Sequence, residues 1–126
     1  MKTVLAIAAG GALGAVARYY VSIGTGVVLG TAFPWGTLVV NLIGCFAMGV
    51  LVELMAITWS PSAELRAFLT VGILGALTTF SAFSLDVALL HGRGEMLLGG
   101  IYILASVAAS LGGVFGGMSL IRMVLQ

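Results

Sequence analysis

Polar side chains inside long apolar runs are where this chain could do chemistry. The densest group is Gly75-Ala76-Leu77-Thr78-Thr79-Phe80-Ser81-Ala82-Phe83-Ser84. Hydroxyls at Thr78, Thr79, Ser81 and Ser84 can satisfy backbone groups freed where a helix is irregular. A helix broken inside a membrane exposes carbonyl oxygens, and those bind cations. The same residues also suit an intact helix whose hydroxyls bond back to the preceding turn. Phe80 and Phe83 are three apart and share a face. Either they pack, or their positively polarised ring edges meet an anion where water is scarce.

A second group is Tyr102, Ser106 and Ser110, spaced to line one helical stripe. A row of neutral donors can replace the water around a small, strongly hydrated anion without trapping it by full charge. Bonding between helices would use the same hydroxyls. Asn41, in Thr37-Leu38-Val39-Val40-Asn41, carries an amide with two N–H donors. It is either a pore group or a contact between helices. Arg18 follows an uncharged run. Its guanidinium either reaches the membrane surface or attracts anions into a water-filled vestibule. Glu53 falls near one end of its segment and Asp86 near the end of another.

These side chains need elements to hold them, and composition says which kind. Of the 126 residues, 61% are hydrophobic and 7% charged. So few charges cannot cover a soluble domain, which runs near 25% charged. A net charge of +1 implies neither nucleic acid nor an acidic partner. Unbroken apolar runs argue for helices rather than a barrel, whose strands alternate. The charge-free stretches 67–85 and 96–121 each suffice for one span of about 20 residues. The stretch 19–52 is too long for one and must break around Gly30, Thr31, Pro34 and Gly36. The expectation is an all-α integral membrane protein, residues 1–126 forming one domain of four helices at about 4–28, 36–57, 66–90 and 96–122. Ser60 or Ser62 is a candidate N-cap for the third. Lys2 and Ala15-Val16-Ala17 also resemble a cleavable leader, but Gly10, Gly11 and Gly14 thin its apolar segment, which favours a retained span.

Other chemistries lack machinery. Cys45 is the single cysteine and His91 the single histidine, and no Ser/His/Asp set or carboxylate pair shares a face. The chain reads as a non-enzyme. Among its 19 glycines, Gly10/Gly14, Gly26/Gly30, Gly112/Gly116 and Gly113/Gly117 are four apart, the spacing of close helix packing. Four tightly packed helices leave little room within one chain, so a transport path would most naturally lie between chains. Four helices also put Lys2, Arg66 and Arg122 on one side, against Arg93 and, depending on its depth, Arg18. That tally fits one orientation and insertion both ways.

Gly11–Arg18, Gly36–Gly44 and above all Gly72-Ile73-Leu74-Gly75-Ala76-Leu77-Thr78-Thr79-Phe80-Ser81-Ala82-Phe83-Ser84 resemble the CrcB/Fluc family of fluoride channels, over essentially the whole chain. The resemblance implies an antiparallel, dual-topology homodimer with two fluoride pores, passively lowering cytoplasmic fluoride across the plasma membrane (the inner membrane of a Gram-negative cell). It implies a third helix broken near the bilayer midplane, with Gly75 and Thr78 carbonyls of both chains holding a structural Na⁺. By position, Asn41, Thr79, Phe80, Ser81 and Phe83 would line the pores. Tyr102, Ser106 and Ser110 would form a polar track, and Arg18 would stand in a vestibule. Ala82, Ala76 and Asp86 depart from the family's frequent threonine, glycine and glutamate. Two rivals are a proton-coupled small multidrug-type transporter and a non-transporting assembly subunit. The first resembles relatives with a glutamate in helix 1, and here no carboxylate precedes Glu53. The second predicts no flux from the isolated protein.

Overall fold

The computed structural model describes residues 1–126. Four helical stretches are long and apolar enough to cross a membrane: Lys2–Leu29, Trp35–Ile57, Ala63–Gly92 and Met96–Leu125. There are no strands. We name the elements α1 (Lys2–Leu29), α2 (Trp35–Ile57), α3 (Ala63–Ala67), a π-helical stretch (Phe68–Leu74), α4 (Gly75–Leu77), α5 (Phe80–Gly92) and α6 (Met96–Leu125). The protein is a multi-pass membrane protein. Its spans match the expected ends or run one to three residues beyond them.

The breaks have local causes. Gly30 ends α1 with φ of +82°, a conformation open to glycine and costly to other residues. Pro34 (φ −80°, ψ 67°) then makes an inverse γ-turn, and the Trp35 N–H donates to the Phe33 carbonyl at 2.8 Å. Gly36 belongs to α2 rather than to the break. A Cβ there would come within 3.0 Å of the Ser22 backbone, so glycine lets α2 start against α1. The Ser62 hydroxyl accepts from the Leu65 N–H at 3.2 Å and caps α3. Gly94, with φ of +76°, turns the chain into α6.

Packing follows the small residues. α1 lies on the π-helical stretch, where Gly10 and Gly72 meet backbone to backbone and a Cβ on Gly14 would strike the Ile73 carbonyl. α2 lies on α6, where Gly49 faces the Val114 backbone and Gly117 the Phe46 carbonyl. Gly112 and Gly116 face open space, and Gly26/Gly30 form no close crossing. Only 15 residues are buried, while Val27, Leu97 and Phe80 are 79–81% exposed. Water would not tolerate such an apolar exterior on a lone chain; lipid or another apolar surface covers it.

Candidate functional site

The helical run through the third span stops at Leu77 and resumes at Phe80, with Thr78 (φ −79°, ψ 154°) and Thr79 (φ −154°, ψ 124°) extended between. Asn41 on α2 holds that gap. Its Nδ2 donates to the Thr79 carbonyl at 3.0 Å, and its Oδ1 accepts from the Thr79 N–H at 2.7 Å. One side-chain amide thus satisfies both backbone groups of one residue. In a continuous helix the Thr79 N–H would close on the Gly75 carbonyl, four residues earlier. Its diversion leaves that carbonyl without its helical donor. The Thr79 hydroxyl caps α5 by accepting from the Ala82 N–H at 3.0 Å, and lies 3.2 Å from Ser81 Oγ. Thr78 and Ser84 instead bond back, to the Leu74 carbonyl at 2.8 Å and the Phe80 carbonyl at 3.0 Å. Gly44 makes room on α2, since a Cβ there would collide with the Thr78 methyl.

Beside the gap lies a chain of rings. Phe80 and Phe83 have centroids 5.4 Å apart, and Phe83 and Tyr102 5.3 Å. Phe80 projects outward at 79% exposure, whereas Tyr102 is wholly buried. The Tyr102 hydroxyl donates to Asp86 Oδ2 at 2.9 Å, and the Thr37 hydroxyl donates to the same oxygen at 2.7 Å. Ser106, one turn along α6 from Tyr102, is buried, and its hydroxyl lies near that of Tyr102 without closing a well-formed hydrogen bond to any group. An orphaned hydroxyl in such a place is a donor awaiting an acceptor. Ser110 is half-buried a further turn on.

A cavity of about 570 Å³ opens next to this cluster, lined among others by Ser22, Thr25, Thr37, Asp86 and Arg93. Arg18 is half-buried on α1 and does not line it. Within one chain, then, the structure brings together Asn41, Thr79 and Ser81, and separately Phe80, Phe83, Tyr102 and Ser106; Arg18 joins neither group. Sequence reasoning missed the pairing of Thr37 with Asp86, since nothing local links residues 49 positions apart. It also missed the cap at Thr79, although a threonine three residues before Ala82 is a readable start signal. Glu53 pairs with Arg122 at 2.6 Å.

The family model described as CrcB-like protein, Camphor Resistance (CrcB), matches residues 5–118. The chain belongs to the CrcB family. Among its family relatives, the Fluoride-specific ion channel FluC of Rhodospirillum centenum is 59% identical over 122 residues, 97% of each chain. The FluC of Rhizobium leguminosarum bv. trifolii is 51% identical over 97% of this chain and 98% of its own. That of Chelativorans sp. is 50% identical over 99% and 100%. The interrupted third span, Asn41, the rings and the α6 hydroxyls all lie within the segment that the CrcB family model matches.

Proposed function

We propose that this chain is a fluoride-selective channel that lowers cytoplasmic fluoride by passive export, and that it has no enzymatic activity. Hydrogen fluoride crosses bilayers as the neutral acid and dissociates in the less acidic cytoplasm. A pore for the trapped anion then lets it leave down its gradient, with no energy coupling. The working unit is an antiparallel, dual-topology homodimer in the plasma membrane, with two pores between the chains. The outward-facing Phe80 and the open Gly112/Gly116 stripe support a second copy as the covering surface. The flat Lys/Arg tally supports insertion both ways.

The observation that carries the reading is the Asn41 clamp on the extended residues of the third span, beside aromatic rings and an orphaned hydroxyl. In this pathway fluoride trades water for neutral donors: the second Asn41 N–H and the hydroxyls of Thr79, Ser81, Ser106 and Ser110, while Tyr102, whose hydroxyl donates to Asp86, would turn to the anion only on release from that carboxylate. The ring edges of Phe80 and Phe83 supply positive polarisation without a full charge. Chloride is larger and fits the narrow path poorly. Arg18 stands in the vestibule that the partner chain completes. The gap at Thr78–Thr79 falls close to the centre of the Ala63–Gly92 span, which supports a place near the bilayer midplane.

The Gly75 carbonyl, stripped of its helical donor, and the Thr78 carbonyl fit a hard monovalent cation. With their counterparts they would hold Na⁺ at the dimer centre. That ion would supply fixed charge to bind the two interrupted helices together. Proton-coupled drug transport has no carboxylate in the first span to work with, and Glu53 is committed to Arg122. Purified protein in liposomes should release fluoride and retain chloride, read by ion-selective electrodes. Well-folded dimers without fluoride efflux would remove the assignment.

A further inference from the structure

We infer that Phe33, in the link between α1 and α2, is an ion-pathway residue: its ring closes the cavity onto Tyr102 and, with Trp35 beside it, forms the aromatic surface that a dehydrating anion meets there. The inference rests on the channel reading above and names a residue that reading does not use. Phe33 lines the 570 Å³ cavity together with Thr37 and Asp86. Behind those three stands Tyr102, fully buried, its hydroxyl on Asp86. Phe33 meets Tyr102 nearly at right angles, with centroids 5.4 Å apart and planes at 79°. Phe83 covers another side of Tyr102 at 5.3 Å and Phe80 follows at 5.4 Å. The rings therefore run without a gap from cavity to interrupted helix, and Phe33 is their cavity end.

Phe33 is in a link, yet it is held. Pro34 fixes its own φ and restricts the residue before it. The γ-turn ties the Phe33 carbonyl to the Trp35 N–H at 2.8 Å, and the Trp35 ring packs against Phe33 with centroids 4.6 Å apart and planes at 54°. A ring fixed in this way presents the same surface to the cavity at little ordering cost. Its quadrupole offers an anion what Phe80 and Phe83 offer further in.

The test uses full-length protein in liposomes with a fluoride electrode. Phe33→Leu keeps the bulk and removes the ring. We expect it to slow efflux about tenfold, the scale of withdrawing one aromatic ring from the ion at the barrier. Phe33→Tyr, which keeps the ring, should recover most of the rate. Phe33→Cys in a Cys45→Ala background supplies a measurement that is its own folding control. A water-soluble methanethiosulfonate added to reconstituted dimers should slow efflux further. Equal slowing by leucine and tyrosine would reduce Phe33 to a shape requirement and overturn the inference. So would active wild type with unchanged Phe33→Leu and an unaffected, modified Phe33→Cys. Wild type without fluoride efflux would instead overturn the channel reading itself.

Discussion

Asn41 is worth more than its single side chain suggests, because it substitutes for helical hydrogen bonding at the point where the third span opens. Losing it strands a buried N–H and carbonyl at Thr79, each costing about 1–3 kcal/mol when unsatisfied. Asn41→Leu should therefore lower the thermal midpoint of detergent-solubilised protein and abolish fluoride efflux. Loss of efflux with unchanged stability would point to a pore role without a clamp. Phe80→Ile and Phe83→Ile make a cleaner pair, because bulk and apolar character survive. Both should suppress efflux about tenfold or more while the protein still elutes at the wild-type position. Unchanged efflux in both would take the rings out of the pathway. The sequence exposed these residues as candidates, since a lone amide or hydroxyl among aliphatic neighbours stands out. It did not expose their partners: Asn41 bonds backbone atoms of Thr79, and backbone carries no sequence signature.

Helices here are placed by absence, by the residues at which a Cβ would find no space. Gly14→Ala would drive a methyl into the Ile73 carbonyl and Gly117→Ala into that of Phe46. Each should destabilise the protein by about 1–3 kcal/mol, as overpacking does. Gly11 meets nothing in its own chain. Gly11→Ala should be neutral or slightly stabilising, gaining about 0.5–1 kcal/mol of helix preference. Thermal inactivation in detergent, monitored by size exclusion, would rank the three. Four spans were legible because scarce charges and Gly/Pro clusters mark their limits. The π-helical stretch was not, since Phe68-Leu69-Thr70-Val71-Gly72-Ile73-Leu74 contains nothing unlike an ordinary membrane helix. Its wider turns lie against the Gly10 and Gly14 backbones, a neighbourhood that no local run of residues announces. The Glu53–Arg122 pair, 2.6 Å apart, ties α2 to α6, with the Glu53 side chain 10% exposed and that of Arg122 53% exposed.

For the whole molecule, orientation is the property most open to manipulation. Lys2, Arg66 and Arg122 oppose Arg93 with so small a margin that a few charges should decide it. Arg93→Gln with lysines appended after Gln126 should insert one way and conduct nothing when expressed alone. Efflux should return when a version biased the opposite way is expressed beside it. Conduction by the biased chain alone would exclude an antiparallel unit. With 15 of 126 residues buried, the chain has almost no interior of its own. In the proposed antiparallel pair an oppositely inserted mate would cover part of that surface, and dilution within the lipid would act against pairing by mass action. Gene dosage would then become a stability parameter: at low expression, unmated copies would be exposed to membrane proteases, and fluoride efflux would rise more steeply than protein number.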